Sequence, residues 1–208
     1  MNDLYPAVRP ATADDLEAAS EALALAFADD PAWAHLLPGS DSAARAERLL
    51  IYFTADIANL VPEYRTVWVT EDGSGAAVWA PPGRWRVPML RTMRPTRQMA
   101  AAFGRHLPRA IWTQLRFERL HPRSPKHWYL QYLGVEPRRQ GRGLGGALMK
   151  PVLELCDRER TPAHLESSSE RNRPLYERNG FAFSEAFNLP GGGPEIHEMW
   201  REPPTAGA

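Results

Sequence analysis

The 208-residue chain has a single cysteine, Cys156, only two lysines, Lys126 and Lys150, and no formal net charge at neutral pH. One cysteine excludes an internal disulfide framework and fits a reducing compartment. Balanced charge supplies no global field toward nucleic acid or a membrane, so neither partner is expected. No apolar run reaches the ~20 residues that span a bilayer. Met1–Pro6 lacks the basic and apolar regions of a signal peptide. These absences lead to the expectation of a soluble cytoplasmic protein. Internal repeats are lacking too. No group of His, Cys and Asp has metal-ligand spacing, so no metal is expected.

What is present suits a globular protein: 43% hydrophobic and 24% charged residues, enough for a sizeable core. The expectation is one domain over 1–208, with 202–208 as a disordered tail. Val8–Ala11 reads as an opening strand, followed by an N-cap pattern at Thr12 and Asp15 and a helix carrying Leu16, Ala19, Leu23 and Phe27. A second helix is predicted from about Ser42 to Asn59, then a hairpin of strands 64–70 and 75–79 around Glu71-Asp72-Gly73-Ser74. Segment 84–126, broken by five prolines, reads as an insertion-like helical region with short helices near 96–104 and 108–119. From Gly83 to Lys126 the chain carries eleven basic residues and one acid, Glu118. That pattern suits either attraction of an anion or a solvated helical face. His127–Val135 is apolar on both faces, as a central strand would be. A helix follows from Gly143 to about Arg158, with Pro151 inside it, then a short strand at 163–166. A short helix at 170–179 and two closing strands, 181–187 and 195–200, complete the pattern.

The stretch Arg138-Arg139-Gln140-Gly141-Arg142-Gly143-Leu144-Gly145-Gly146 links the central strand to that helix. A glycine-rich turn at a helix N-terminus presents unpaired N–H groups and a favourable dipole, which is a cradle for phosphate. Gly141, Gly143 and Gly146 satisfy the dinucleotide pattern G-x-G-x-x-G, with Glu166 twenty residues beyond. The context opposes that reading. Glu136–Gln140 separates strand from turn, and too little chain follows Glu166 to complete a doubly wound sheet.

The alternative parse is Gln140-x-x-Gly143-x-Gly145 after a strand ending in Leu133-Gly134-Val135, with Leu175-Tyr176-Glu177-Arg178-Asn179-Gly180-Phe181 downstream. This pair of motifs resembles the GCN5-related N-acetyltransferase (GNAT) superfamily, and within it the branch of puromycin N-acetyltransferase and its relatives. The resemblance covers most of the chain and is weakest in 84–126. It implies an α/β (α+β) fold: a mixed central sheet of about six to seven strands flanked by helices, with splayed parallel strands at an acyl-CoA site. Acetyl-CoA is then the implied cosubstrate. Its phosphates and pantetheine would meet Leu133, Gly134, Val135, Arg139, Gln140, Gly141, Arg142, Gly143, Leu144 and Gly145. Many members place Asn seven residues before the tyrosine. Here that position is Ser169, with Asn172 four before, so both are candidates.

The implied reaction is acetyl transfer to a small-molecule primary amine by direct attack in a ternary complex. Tyr176 is the candidate proton donor to the departing thiolate, since a phenol of pKa ~10 stays protonated at neutral pH. Glu166 is the candidate base, or a carboxylate that orients a cationic substrate. His127, His164 and His197 are alternative bases, although isolated histidines near strand ends are more often structural. Cys156 falls on an apolar helical stripe and reads as core. Phe27, Trp33, Trp79, Tyr129 and Gln131 are candidate acceptor-binding residues, with Trp85 and Trp112 further aromatic candidates. Competing functions are acetylation of protein N-termini or lysines, and a non-catalytic CoA sensor. Exposed aromatics in 84–126 offer either a homodimer surface or a substrate lid.

Overall fold

The computed structural model describes residues 7–58, 66–85 and 96–204. The expected features at Met1–Pro6, Asn59, 64–65 and 205–208 lie outside them. Seven strands form one sheet: β1 (Val8–Pro10), β2 (Val67–Thr70), β3 (Gly75–Ala80), β4 (Trp128–Val135), β5 (Ala163–Ser167), β6 (Ala182–Asn188) and β7 (Glu195–Arg201), in the order β1-β2-β3-β4-β5-β7-β6. Every neighbouring pair is antiparallel except β4 and β5. The mixed sheet flanked by helices is therefore the expected architecture.

The helices are α1 (Leu16–Phe27), α2 (Pro31–Leu36), α3 (Ser42–Ile57), α4 (Thr96–Phe103), α5 (Leu107–Leu120), α6 (Leu144–Glu159) and α7 (Arg173–Arg178). Helix α6 continues through Pro151. Residues 170–179, expected as one helix, divide into a 3-10 turn and α7, with Pro174 in the first turn of α7. Helix α2 was not anticipated, although its signal is present. Asp30 caps it by accepting from the N–H of Ala32 and Trp33 at 2.9 and 3.2 Å, and Pro31 opens it. Among the described residues, no helix is long and apolar enough to cross a membrane.

Two cores lie on opposite faces of the sheet. Leu144, Leu148, Val152 and Cys156 of α6 pack with Ala77, Trp79, Leu130 and Leu165. Leu23 of α1 and Leu49, Phe53 and Ile57 of α3 pack with Val67, Val69, Ala76 and Val78. Burial pushes the Cys156 thiol up to about 12, so it is a core residue and not a thiolate nucleophile.

Strand β4 carries an irregularity that organises the rest. It pairs Val78 with Tyr132 but Trp79 with Leu130, leaving Gln131 as an extra residue. A bulge shifts the two-residue side-chain alternation by one. Trp128 and Leu130 therefore share the α6 face with Leu133 and Val135, while Tyr132 packs against the α1–α3 core. Gly134 faces that second core too. A Cβ there would lie 2.7 Å from Leu23 Cδ2 and 3.0 Å from Ala26 Cβ, so α1 sits directly on this backbone. Gly134→Ala is expected to cost about 1–3 kcal/mol through overpacking. Chemical denaturation would read this as a lower midpoint at unchanged slope, and an unshifted midpoint would contradict the close packing.

Candidate active site

The bulge coincides with a split in the sheet. Strands β4 and β5 pair only over Trp128–Leu130 and Ala163–Leu165. Beyond that point β4 stays with β3 through Val135, whereas Glu166 and Ser167 stay with β7. The diverging ends open a cavity of about 200 Å³ whose lining includes Phe27, Trp33, Tyr132, Glu166, Asn172 and Tyr176.

Glu166 lies at the fork of this split, with only 2% of its side chain exposed. Its Oε2 accepts from the Tyr129 hydroxyl at 2.5 Å, and its Oε1 lies 3.6 Å from His121 Nδ1. Burial pushes the carboxyl upward, but His121, His164 and Tyr129 outweigh that cost and leave it below its ordinary value. Burial and the neighbouring Glu166 raise the Tyr129 phenol, which keeps it a donor. Asp30 spans the cavity in a different way. One carboxylate oxygen caps α2, and the other accepts from the Ser168 hydroxyl just after β5. Sequence reasoning missed Asp30, although Asp-Pro before an apolar run is a readable cap signal.

Tyr176, 8% exposed, projects from α7 into the same cavity. Burial and then the nearby Asp30 raise its phenol, favouring the protonated form. Asn172 lines the cavity as well, while Ser169 sits at the N-cap position of the 3-10 turn before α7 without a side-chain cap bond and is not among the lining residues.

At the other mouth, Gly143 adopts φ +79° as the residue before α6, and Gly141 adopts φ +77°; both are left-handed conformations that favour glycine. The first N–H groups of α6 have no intrahelical partner and point out of the helix. Gln140 Nε2 donates to the Val135 carbonyl at 3.0 Å, folding the turn back on the strand end. Arg138, Arg139 and Arg142 are exposed around this turn, with Arg139 3.4 Å from Asp72. The Leu144 side chain is core, so only its N–H faces the turn. A Cβ on Gly145 would lie 3.1 Å from Leu175 Cδ2, which brings α7 and Tyr176 close against this helix.

An acetyltransferase (GNAT) family model matches residues 108–181, which include β4, the glycine turn and Tyr176. The chain resembles the GNAT acetyltransferases and shares their fold. It is 29% identical to an uncharacterized N-acetyltransferase of Schizosaccharomyces pombe, over 96% of this chain and 84% of that protein. A Corynebacterium glutamicum structure described as histone acetyltransferase HPA2 and related acetyltransferase superposes with TM-score 0.69 at 25% identity, covering 98% of this chain and 99% of the other. The Drosophila melanogaster polyamine N-acetyltransferase shares the fold, at TM-score 0.56 and 18% identity over 95% and 100% of the two chains.

The GNAT fold gathers most of the acceptor candidates. Phe27, Trp33, Tyr129 and Gln131 line the cavity, as does Trp85, whose ring lies 4.0 Å from that of His121. Two aromatic expectations are corrected. Trp79 is 1% exposed within the α6-side core and is not among the cavity-lining residues. Trp112 is 56% exposed on the outer face of α5, whose inner face contributes Gln114, Phe117 and His121. Tyr52 was also missed. Its hydroxyl lies 2.7 Å from that of Tyr132, within a cluster of Phe27, Trp33 and Phe53.

Beside these phenols, burial pushes the Asp56 carboxyl up to about 6, partly offset by Tyr132. The unfolded carboxyl titrates near ~3.9. The native state therefore binds this proton more tightly, and the group's contribution to stability falls as pH rises through about 6. Asp56→Asn is expected to stabilise the fold by about 1–2 kcal/mol at about pH 8 and by little at about pH 4. Urea denaturation at both pH values checks this, and a pH-independent effect would contradict it.

Proposed function

We propose that the protein transfers an acetyl group from acetyl-CoA to the primary amine of a small molecule carrying an apolar body. The observation that carries this reading is the cavity at the strand split, where aromatic rings, Asp30, Glu166 and Tyr176 converge. A space of about 200 Å³ roofed by α5 suits a small cation better than an extended peptide. The resemblance to puromycin N-acetyltransferases favours the same class, and the Drosophila polyamine N-acetyltransferase of the same fold also acetylates a small amine.

The residues at the other mouth fit the cosubstrate. The left-handed Gly141 and Gly143, the N-terminus of α6 and the exposed arginines form a place for its phosphates. The edge of residues 133–135 beyond the β5 pairing can take up the amides of a pantetheine arm as an added strand. Asn172, facing the cavity, is the better placed of the two polar candidates for that arm. Acetyl-CoA supplies an activated acetyl thioester. Glu166, held by Tyr129, orients the amine as its ammonium form, and the ammonium proton leaves through water beside it. The free amine nitrogen attacks the thioester carbonyl, the C–S bond breaks as Tyr176 gives its proton to the leaving sulfur, and the proton lost from the amide nitrogen returns through water to the Tyr176 phenolate.

Free-thiol release from acetyl-CoA, measured across small amines and peptides, tests the assignment. Small aromatic or alkyl amines should turn over and peptides should not; the reverse would point to a protein acceptor. CoA binding without turnover on any acceptor would indicate a sensor. For the individual groups, Tyr176→Phe is expected to lower kcat by about 10²-fold or more with CoA affinity retained. Equal loss of both would remove its role as proton donor. Glu166→Gln should raise the KM for the amine much more than it lowers kcat, and a pure kcat loss would exclude an orienting role.

A further inference from the structure

Around the back of Glu166, the fold brings together five side chains from three separate stretches of the sequence: His121 at the end of α5 and His127 before β4, His164 and Glu166 on β5, and Glu198 on β7. His121, His127 and His164 are 4%, 3% and 0% exposed. Their ligand-capable atoms lie within 4.8 Å of one another, as do those of His164, Glu166 and Glu198. The reading of linear spacing found no such cluster, because the parallel β4–β5 pairing assembles it by setting His164 opposite Tyr129.

The hydrogen bonding of this cluster is incomplete. Neither ring nitrogen of His164 has a hydrogen-bond partner, and neither does Glu166 Oε1. Native interiors seldom bury such groups without an ion or water to answer them. His127 Nδ1 lies 2.8 Å from the Pro125 carbonyl and donates to it, leaving the lone pair on Nε2. That lone pair faces His121 Nε2 at 3.0 Å. Placing the His121 proton on Nδ1, toward Glu166 3.6 Å away, sets two lone pairs against each other. Placing it on Nε2 turns a lone pair toward the carboxylate instead. A second proton on His121 resolves this conflict, but it leaves both nitrogens of His164 unanswered. A metal ion bound by one His164 nitrogen takes up that nitrogen together with the facing lone pairs of His121 and His127, and leaves the other His164 nitrogen for an outer partner.

We propose that His121, His127 and His164 bind one zinc-class divalent ion. Three imidazoles are a common ligand set for zinc, and tetrahedral Zn–N bonds of about 2.0–2.1 Å put ligand nitrogens about 3.3 Å apart. The 3.0 Å separation of His121 and His127 is close to that value. The outer contacts also match a metal site. A backbone carbonyl fixes the tautomer of His127, Glu166 faces His121, and Glu198 Oε2 lies 3.9 Å from His164 Nε2. The ion would pin the end of α5 to β4 and β5, holding the roof of the acceptor cavity and the back of Glu166 in place. This assignment is independent of which amine the enzyme accepts.

The test uses the full chain, stripped with a chelator and titrated with zinc or cobalt(II). The expected result is about one ion per chain by elemental analysis, a tetrahedral cobalt band in the visible spectrum, and a higher melting temperature with zinc. His164→Gln should abolish all three, and Glu198→Gln should weaken affinity about 10–100-fold. His197→Ala should leave them unchanged, because His197 pairs with exposed Glu195 outside the cluster. No uptake by the stripped wild-type chain would overturn the proposal. So would undiminished uptake by His164→Gln, or loss with His197→Ala. If His164→Gln does not fold, the wild-type titration and Glu198→Gln decide.

Discussion

The extra residue in β4 is the constraint on which the other features depend. Without Gln131 out of register, Tyr132 and Leu133 would exchange faces. An aromatic ring would then enter the α6 core and an aliphatic side chain would replace it against α1 and α3. With the bulge, one strand serves two cores of different phase along its length. A bulge also increases local twist, and here the added twist falls where β4 and β5 stop pairing. An open edge in the middle of a sheet is a liability unless something occupies it. The packing of α1 onto Gly134 and of α6 onto Leu133 and Val135 holds the parted strand rigid, so that the edge remains available.

That rigidity is matched by the way buried charge is handled. A carboxylate removed from water is costly unless donors face it. Glu166 has the Tyr129 hydroxyl on one oxygen and an imidazole near the other, whereas Asp30 is held by two backbone N–H groups and a serine. These donors come from α2, α5, β4 and the segment after β5, so the charges are fixed only when the whole cavity wall has assembled. The described arginines and the lysine of the basic segment take no part in this. Arg97, Arg105, Arg119, Arg123 and Lys126 are exposed, and neither arginine nor lysine is among the cavity-lining residues. Those five charges are solvated, while α5 supplies the roof through Gln114, Phe117 and His121.

Most of the architecture was legible because its signals are local. The glycine turn, the amphipathic α6 and the strands at 75–80, 128–135 and 163–167 lie within about two residues of their expected bounds. What escaped depends on nonlocal facts. Trp-Tyr-Leu-Gln-Tyr-Leu-Gly-Val is apolar on both faces, so no period in it reveals a bulge. Trp79 and Trp33 look alike as isolated aromatics; only the facing helices decide that one is core and the other lines a cavity. The histidines at 121, 127 and 164 read as unrelated until a parallel strand pair brings them together.

The two mouths of the site have opposite electrostatic character, and in the proposed reaction this sets a direction. Exposed arginines and a helix N-terminus surround the glycine turn, where an anionic cosubstrate would bind. Carboxylates and aromatic rings line the acceptor side, which suits an ammonium ion with an apolar body. Acetylation converts that ammonium into a neutral amide. In a cavity of low dielectric, an ion pair at 4 Å is worth about 4 kcal/mol at an effective dielectric of 20, before desolvation is counted. The reaction removes this attraction and leaves Glu166 with the Tyr129 donor and the His121 imidazole 3.6 Å away. The donors that keep the carboxylate ionised in the empty cavity thus also stabilise it as product departs, so the groups that capture substrate do not retain the amide.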